Sequence, residues 1–399
     1  MTQAAAIALR EVKRVTILGA TGSVGRNTLD LIARNRDSFY VEALTAHRDC
    51  DGLIALARQI QPQLAVIGDA SLYERLSEGL AGTGIACAAG ADAIVAAAER
   101  PVDWIMAAIV GAAGLAATIA GVKQGAQIAI ANKECLVCAG EYLTTLARER
   151  GAKLLPVDSE HNAIFQVFDQ QRPETVEKII LTASGGPFRT FSRAQMRDVT
   201  PEQAVAHPNW DMGAKISVDS ATCMNKGLEL IEAYHLFPVA AEQIDILIHP
   251  QSVVHSLVSY IDGSVLAQMG SPDMRTPIAY TLSWPTRMVA PVSRLNLAEI
   301  AQLTFEAPDF GRFPALKLAR DSLLQGGGAP AILNAANEMA VAGFLNGQIG
   351  FLTISDIVAA TLEDREMVEW LRPLNDVQEI IAADQQARRV AKARLERAQ

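Results

Sequence analysis

The amino-acid sequence predicts an α/β protein in which a parallel sheet flanked by helices comes first, an α+β region follows, and the C-terminal region is helical. Three observations support this order. Short β-rich runs alternate with Ala/Leu-rich helical runs over residues 1–157, a pattern typical of a parallel sheet covered on both faces. Residues 158–286 contain strand-like runs separated by loops and one clear helix. After an irregular connection at residues 287–310, residues 311–399 are predicted to form a helical bundle.

The predicted strands fall into two groups. Those of the N-terminal region are expected at Arg14–Leu18, Tyr40–Leu44, Leu64–Ile67, Trp104–Ile109, Gln127–Ile130 and Leu154–Val157. Helical runs such as Gly25–Ala33 and Glu134–Arg148 lie between them. Those of the central region are expected at Lys178–Thr182, Ile244–Ile248, Val253–Tyr260 and Ser264–Met269. Asp262 and Gly263 separate the last two runs and are a strong signal for a tight hairpin, so the second sheet should be antiparallel or mixed.

The composition limits the classes of function. A chain of 399 residues is too long for one ordinary core, so two or three domains are expected. The formal net charge of −9 argues against a broad nucleic-acid interface, and an anionic substrate would therefore need a local cluster of donors. Five cysteines, an odd number, suit a reducing compartment. Cys135 and Cys138 form a CxxC motif, for which helix packing is a simpler explanation than a redox role.

One uncharged segment, Trp104–Val122, has the length of a membrane span. It consists mostly of Ala and Gly, and Asp103 and Lys123 stand at its ends. Gly111 and Gly114 divide it into a strand, a turn and a helix. The N-terminus has no convincing signal peptide. We therefore expect a cytoplasmic enzyme or binding protein without a membrane partner.

The stretch VTILGATGSVG, Val15 to Gly25, predicts a strand, a glycine turn and a helix start. Small residues in such a turn let the backbone approach a pyrophosphate, and the helix N-terminus offers amide donors. At the head of an alternating β/α series, the turn indicates a Rossmann-like nucleotide-binding domain rather than a purely structural turn.

The residues after the second strand favour NADP over NAD. An NAD site usually has an acidic residue at the end of this strand, which binds the ribose hydroxyls. Ala46 stands where that acid is expected, and Arg48 follows. A guanidinium there suits a 2′-phosphate. The acidic Asp49 argues against this preference, and Arg48 could instead be an ordinary solvent-exposed charge in a loop.

The apolar run Leu154–Val157 ends in Asp158, Ser159, Glu160 and His161. In an extended backbone, residues i and i+2 point to the same side, so the two carboxylates should converge. Two negative charges at such a short distance repel each other unless a cation or a shared proton lies between them. Strand ends in this fold face the ligand crevice, which argues against two solvated loop acids.

A later helical segment adds a third carboxylate. Asn225 and Glu229 are four residues apart and Lys226 and Glu229 three, so the three share one helix face. Three carboxylates without Cys or His partners indicate a hard ion such as Mg²⁺ or Mn²⁺. His161 would allow a softer metal, but a second His at ligand spacing is missing.

Two loops complete the candidate site. TASGGPF, Thr182 to Phe188, ends a strand in a Ser-Gly-Gly turn whose amides can form an anion nest beside Ser184. AHPNWDMG, Ala206 to Gly213, carries His207 and Trp210. A large indole in such a loop either packs on the surface or closes over a ligand.

These motifs occur in an order that closely resembles the 1-deoxy-D-xylulose 5-phosphate reductoisomerases of the non-mevalonate isoprenoid pathway. The matching motifs are GATGSVG, ANKE, DSEHNAIFQ, TASGGPF, AHPNWDMGAKISVDSATCMNKGLELIEA and HPQSVVHSLVSYIDGSVLAQMGSPDMR. The resemblance implies an NADPH-dependent oxidoreductase that also needs Mg²⁺, Mn²⁺ or Co²⁺ and converts this sugar phosphate to 2-C-methyl-D-erythritol 4-phosphate. It further implies a homodimer with a Rossmann-like dinucleotide domain, a central catalytic α+β domain and a C-terminal helical bundle.

The resemblance also implies roles for individual residues. The implied metal ligands are Asp158, Glu160 and Glu229, which are also catalytic residues together with Lys133. The implied substrate contacts are Lys133, Ser159, Glu160, Ser184, His207, Trp210, Ser220, Asn225, Lys226, Glu229, His255 and Met274. The implied cofactor contacts are Thr21, Gly22, Ser23, Val24, Ala46, Arg48, Asp49, Asn132, Glu134 and Gly213. Trp210 and Met212 are implied to form a lid.

Some positions depart from the family pattern. Arg48 and Asp49 stand where a Lys-Asn pair is frequent, and Asp211 and Ala214 occupy lid positions often taken by Ser and Arg. Two other functions stay open at this point. An acylating semialdehyde dehydrogenase also favours a GATGxVG turn and would use Cys223 as its nucleophile. A non-catalytic NADPH sensor would have no use for the acidic cluster.

Overall fold

The computed structural model describes residues 12–208, 210, 213–374 and 376–398. These residues form two compact units, each assembled from separate stretches of the chain. The first unit takes residues 12–132, 143–158 and 274–292, and the second takes the others. From the sequence, the chain is expected to divide by function into a dinucleotide domain, a catalytic domain and a helical bundle. The two compact units are defined by contacts and do not test that division, which stays a prediction.

The first unit contains the parallel sheet that the sequence predicts. Its seven strands are β1 Lys13–Leu18, β2 Phe39–Ala46, β3 Leu64–Ile67, β4 Ala86–Ala89, β5 Trp104–Ala107, β6 Gln127–Ile130 and β7 Lys153–Pro156. They pair in the order β4-β3-β2-β1-β5-β6-β7, all parallel. Each predicted strand is present, with ends that differ by at most two residues. Strand β4 was not predicted, because its sequence Ala-Cys-Ala-Ala has no β-branched or aromatic residue.

The second unit contains a mixed sheet. Its strands are β8 Val176–Ala183, β9 Ile244–Ile248, β10 Val254–Tyr260 and β11 Val265–Met269, in the order β11-β10-β8-β9. β8 and β9 are parallel, and the other two pairings are antiparallel. The tight hairpin predicted between β10 and β11 is confirmed: Gly263 has a φ of 87°, and its N–H donates to the carbonyl of Tyr260 at 2.9 Å.

Helices cover both sheets and form the C-terminal region. The first six are α1 Ser23–Arg34, α2 Cys50–Ile60, α3 Tyr73–Gly79, α4 Ala91–Ala98, α5 Leu115–Lys123 and α6 Lys133–Arg150. The next six are α7 Ser159–Val167, α8 Arg193–Met196, α9 Pro201–Val205, α10 Ala214–Ala221, α11 Met224–Leu236 and α12 Arg275–Ser283. The last five are α13 Leu297–Ile300, α14 Ala315–Gln325, α15 Ala329–Leu345, α16 Thr353–Leu362 and α17 Val377–Ala398.

The turn from β1 to α1 can be built only with glycine at two positions. Gly19 has a φ of 85°, and a Cβ there would lie 2.6 Å from the carbonyl oxygen of Ala108. A Cβ on Gly25 would lie 2.3 Å from the carbonyl oxygen of Gly19. Both neighbours are backbone atoms, which cannot move aside as a side chain can. The turn is also attached to β2, because the Gly19 N–H donates to Oγ1 of Thr45 at 3.1 Å.

The second unit has a large hydrophobic core, which includes residues of the mixed sheet, helix α11 and the C-terminal helices, and a smaller separate cluster among the C-terminal helices. Phe351 lies at a junction in the large core: its ring centroid is 5.0 Å from that of Phe188 and 5.7 Å from that of Phe344, both edge-on. Each such aromatic pair adds about 1 kcal/mol to the burial of the rings. The predicted helical C-terminal region is confirmed. At the start of α17, Asp376 accepts the N–H of Glu379 at 2.9 Å, and the cap expected at Asn375 lies outside the described residues.

The uncharged segment Trp104–Val122 divides as predicted into strand β5, a turn and most of helix α5. In the part of the chain that the structure describes, no helix combines the length and apolarity that a bilayer crossing requires. All five cysteines are described and carry free thiols. Cys135 and Cys138 are buried in α6, as the packing interpretation expects, and burial raises the pKa of the Cys138 thiol well above its usual range.

Candidate active site

The acidic stretch after β7 turns into a helix earlier than the sequence argument assumed. Strand β7 ends at Pro156 and α7 begins at Ser159, so Glu160 lies in the first turn of a helix and not in an extended segment. The prediction of an extended backbone is therefore wrong. The convergence that it was meant to explain is nevertheless present: one carboxylate oxygen from each of Asp158, Glu160 and Glu229 lies within 4.8 Å of the others. Asp158 is joined to Ser159 of α7 by a single peptide bond.

Helix α11 supplies the third carboxylate and its partners, on the common face that the spacing predicts. The side-chain amide of Asn225 donates to Oε1 of Glu229 at 2.6 Å. The Lys226 ammonium forms a short hydrogen bond to Oε2 of the same residue and lies 3.8 Å from Glu160. Lys133, at the start of α6, donates to Oδ1 of Asn225 at 2.7 Å and lies 3.7 Å from Glu229. Two ammonium groups thus face the acids.

Packing of the opposite side of α11 fixes the position of the face that carries Asn225, Lys226 and Glu229. Leu228 and Ile231 are fully buried in the core. Gly227 lets α11 approach α14 closely, because a Cβ there would lie 2.6 Å from the Cβ of Ala319. The helix starts after Cys223, which has a φ of 61° and ends the preceding helix turn. Glu229 itself is 1% exposed, so its carboxylate is desolvated and depends on the hydrogen bonds described above.

A second group of possible metal ligands overlaps the first. Asp158, His161 and Glu232 also have ligand atoms within 4.8 Å of one another. His161 and Glu232 are both buried, and Nε2 of His161 is 2.8 Å from the carbonyl oxygen of Glu229, so that ring nitrogen already has a partner. In the first group, by contrast, Asp158 and Glu160 are half-buried and open to a substrate. The accessible acids therefore favour a hard ion over the softer metal that His161 would allow.

The Ser-Gly-Gly turn and the His/Trp loop meet in the second unit. Ser184 Oγ is 2.9 Å from Nε2 of His207, and it accepts the N–H of Gly186 at 3.1 Å. The Trp210 N–H donates to Nδ1 of His207 at 3.0 Å. Since Nδ1 accepts, the proton of a neutral imidazole lies on Nε2 and is donated to Ser184. Burial lowers the pKa of His207, which favours this neutral form.

The other predicted substrate residues are more scattered. Ser220 is half-buried on α10, beside the Ser-Gly-Gly turn: a Cβ on Gly186 would lie 2.7 Å from its carbonyl oxygen. His255 on β10 is buried, and its ring centroid lies 6.2 Å from that of Trp210. Met274 is a half-buried residue of the first unit, just before α12. The Ser159 hydroxyl donates to Glu160 at 2.6 Å. Met212 and Asp211, expected in the lid, lie outside the described residues.

At the nucleotide end, Thr21, Gly22, Ser23 and Val24 form the turn before α1 and its first residues, and Ala46 is buried at the end of β2. Arg48 is exposed and pairs with Asp69 at 3.3 Å. Asp49 caps α2, accepting the Gly52 N–H at 2.9 Å, and also pairs with Arg26 at 3.3 Å. Sequence reasoning missed Arg26, although a basic residue directly after the glycine turn is a visible signal.

Asn132 and Glu134 flank Lys133 in the sequence, and their side chains have different partners. The Asn132 side-chain amide donates to the carbonyl of Gly111 at 2.9 Å and, in a shorter bond, to that of Ile109. Its Oδ1 is buried and has no hydrogen-bond partner among the described residues. The Glu134 carboxylate is only 6% exposed and pairs with Lys215 at 3.1 Å.

Lys215 is the centre of a buried ionic group that the sequence did not reveal. Its ammonium lies 3.1 Å from Glu134 and 3.0 Å from Asp219, and Asn337 of α15 donates to the other oxygen of Asp219 at 2.8 Å. Burial opposes charging of Glu134, but the Lys215 ammonium, a backbone hydrogen bond and the nearby Lys133 together keep the pKa of Glu134 below its usual range. Gly213, two residues before Lys215, is the N-cap of α10. The group therefore connects the start of α6, which carries Lys133, to α10 and α15.

Cys223 does not have the properties of a nucleophile. It is 3% exposed, and burial raises the pKa of its thiol to about 12. A reactive cysteine needs a thiolate near neutral pH and access to substrate. The acylating dehydrogenase interpretation is therefore not favoured.

Three family models match the chain over most of its length. The model described as 1-deoxy-D-xylulose 5-phosphate reductoisomerase matches residues 15–140, and the one described as its C-terminal domain matches residues 154–237. A model described as DXP reductoisomerase C-terminal domain matches residues 269–390. A relative from Rhodospirillum centenum named 1-deoxy-D-xylulose 5-phosphate reductoisomerase is 58% identical over 380 residues, 95% of this chain and 94% of the relative. The chain belongs to the 1-deoxy-D-xylulose 5-phosphate reductoisomerase family.

Solved structures of family members match the fold as well. The structure of the Zymomonas mobilis enzyme in complex with NADPH has a TM-score of 0.92 at 54% identity, covering 97% of this chain and 100% of that one. A DOX-P reductoisomerase in complex with NADPH, fosmidomycin and magnesium has a TM-score of 0.93 at 42% identity, covering 96% and 98%. The fold and family expected from the sequence motifs are confirmed.

Replacing Lys215 tests whether the buried ionic group stabilises the second unit. Lys215→Met leaves Glu134 and Asp219 buried without their cation, and we expect a loss of roughly 3–5 kcal/mol in the free energy of unfolding. Lys178→Met is the control: it removes an exposed pair with Asp245 (3.1 Å, side chains 41% and 49% exposed), for which about 0–1 kcal/mol is expected. Urea denaturation followed by circular dichroism measures both.

The same experiment has a pH dependence. The folded state lowers the pKa of Glu134 from its ordinary 4.5, so the pair stabilises the protein above that pH and contributes less as the pH falls. The stability difference between Lys215→Met and the wild type should therefore shrink in acid. Equal losses for Lys215→Met and Lys178→Met at neutral pH would contradict the role of the group.

Proposed function

We propose that the protein converts 1-deoxy-D-xylulose 5-phosphate to 2-C-methyl-D-erythritol 4-phosphate, using NADPH and a divalent metal ion such as Mg²⁺, Mn²⁺ or Co²⁺. Family membership supports the overall reaction. The observation that carries the chemistry is the convergence of Asp158, Glu160 and Glu229 beside the ammonium groups of Lys133 and Lys226.

The donor set fits a hard divalent ion. Related structures have been solved with magnesium, and carboxylate oxygens are the ligands that Mg²⁺ and Mn²⁺ prefer. Two of the acids here are half-buried and can be reached by a substrate as well as by an ion. We infer that Asp158, Glu160 and Glu229 hold the metal, with Asn225 orienting the carboxylate of Glu229.

The first unit fits a dinucleotide. Related structures contain NADPH, and here the glycine turn packs its backbone so closely that side chains at Gly19 and Gly25 would clash. Within the described part of the chain, the buried Oδ1 of Asn132 has no hydrogen-bond partner, and a carboxamide N–H of the cofactor would satisfy this acceptor. We infer that Thr21 to Val24 bind the pyrophosphate and that residues 46–49 surround the 2′-phosphate.

When bound, the metal supplies Lewis-acid polarisation of the substrate oxygens and NADPH supplies a hydride. The residues of this chain orient and enclose the substrate. We infer that Lys133 and Ser159 contact its carbonyl and hydroxyl region, since both side chains lie beside Glu160 or Glu229. Direct carbon migration and a retro-aldol/aldol route both fit this arrangement.

The phosphate of the substrate would be held by neutral and cationic donors. Ser184, Ser220, Asn225 and Lys226 supply hydroxyl, amide and ammonium donors, and the Nε2–H of His207 already points at Ser184. Trp210 connects to this group through His207 and stands beside His255. We infer that the loop bearing Trp210 closes over the substrate and excludes water during reduction.

We also propose that the protein is a homodimer in the cytoplasm. Strand β11 is an edge strand of the mixed sheet, and Val265 and Leu266 on it are about half exposed, so a second copy could cover them. Five free thiols support a reducing compartment, and recovery of the native protein with disulfides from an extracellular fraction would contradict it.

The dimer is tested by placing a charge on the edge strand. Leu266→Lys should shift the molecular mass in sedimentation experiments from two chains to one, because an ammonium cannot be buried there without a partner. Leu324→Lys serves as the control, since Leu324 is 61% exposed and lies on helix α14 rather than on the edge strand. A monomeric wild type, or a dimer that Leu266→Lys leaves intact, would count against the proposal.

The reaction is tested by following NADPH oxidation with 1-deoxy-D-xylulose 5-phosphate. We expect turnover with Mg²⁺ and its loss after chelation, and a decrease of at least roughly 100-fold in kcat for Asp158→Asn, because a ligand of the Lewis acid is lost. Cys223→Ser should retain turnover. An enzyme that tolerates chelation but fails as Cys223→Ser would be an acylating dehydrogenase, and NADPH binding without any turnover would indicate a sensor.

A further inference from the structure

We propose that Arg26 makes the cofactor site selective for NADPH over NADH, by neutralising Asp49 and offering its remaining N–H groups to the 2′-phosphate. The inference deepens the proposed function and rests on it. Neither composition nor the family motifs pointed to Arg26, which stands directly after Gly25 in the first turns of α1.

Arg26 is held at two points that both belong to the nucleotide site. Its Nε donates to the carbonyl of Thr21 at 2.8 Å, inside the glycine turn. Its Nη2 donates to Oδ2 of Asp49 at 3.3 Å, at the turn after β2. The guanidinium therefore bridges the two turns between which an adenosine ribose lies in this fold. About half of its side chain is exposed, so a ligand can reach the free N–H groups.

Asp49 is an obstacle to NADPH unless its charge is compensated. A carboxylate after the second strand suits the ribose hydroxyls of NAD and repels a 2′-phosphate. Here Oδ1 of Asp49 accepts the Gly52 N–H at 2.9 Å as the cap of α2. The folded-back position depends on Gly52, because a Cβ there would lie 2.2 Å from Oδ2. The carboxylate is thus turned toward its own helix and toward Arg26.

The charges around the site decide the preference. Arg26 and Arg48 contribute +2, and Asp49 and Asp69 contribute −2, so the four groups sum to zero. Without Arg26 the sum is −1, and an incoming phosphate dianion would be repelled. Arg48 is 75% exposed and, among the described residues, is anchored by Asp69, whereas Arg26 is anchored by both Thr21 and Asp49 and loses less side-chain freedom on binding. Arg26 is therefore the better-organised donor.

The test measures binding without substrate, so it does not depend on turnover. Isothermal titration gives the Kd of NADPH and of NADH for the wild type and variants. We expect Arg26→Gln to raise the Kd of NADPH by roughly 10- to 100-fold, as for loss of a charged hydrogen-bond donor, and to change the Kd of NADH by less than about threefold. Asp49→Asn in the Arg26→Gln background should recover part of the NADPH affinity, because the repulsive carboxylate is gone while the lost donor to the phosphate is not replaced.

Arg34→Gln is the matched control: Arg34 is an exposed arginine of the same helix, paired with Asp30 at 3.0 Å, and its loss should leave both affinities unchanged. Equal weakening of NADPH and NADH by Arg26→Gln, no weakening at all, or a double variant as weak as Arg26→Gln would each overturn the inference. A wild type that binds neither dinucleotide would overturn the proposed cofactor, and the inference with it.

Discussion

Three carboxylates within 4.8 Å of one another cannot stay ionised in a partly buried site without positive charge beside them. Lys133 and Lys226 supply two charges, which leaves the five groups with a sum of −1. This residual negative charge is carried by carboxylate oxygens, which are suitable ligands for a divalent cation. Packing in the second unit holds these groups in position. Helix α11 packs closely on α14 at Gly227. Lys215 pairs with Glu134 of α6, the helix that begins with Lys133, and with Asp219, which accepts a hydrogen bond from Asn337 of α15.

Much of this site was predictable because helical and strand periodicity are local properties. The common face of Asn225, Lys226 and Glu229 follows from i,i+3 and i,i+4 spacing, and the structure has it. The parallel sheet and six of its seven strands follow from alternating runs, and the hairpin at Asp262–Gly263 follows from its turn residues. The family followed from long motifs, and the matched models and relatives agree with it.

What the sequence could not supply are contacts between residues that are distant along the chain, and local choices that context decides. Glu134 and Asn337 meet Lys215 and Asp219 only in the fold, and each alone has the appearance of an ordinary polar residue. Strand β4 consists of alanine and cysteine and is a strand only because β3 pairs with it. Glu160 starts a helix where an extended segment was expected, and the three acids converge all the same, because the fold and not the strand period brings Glu229 to them.

The most direct test of this account is crystallographic: crystals soaked with Mn²⁺, with anomalous diffraction to locate the ion. The account predicts a single strong peak at about 2.0–2.3 Å from a carboxylate oxygen of each of Asp158, Glu160 and Glu229, with Lys226 moved away from Glu229. A peak bound instead by His161 and Glu232, or Glu229 still paired with Lys226 and no ion between the acids, would contradict it.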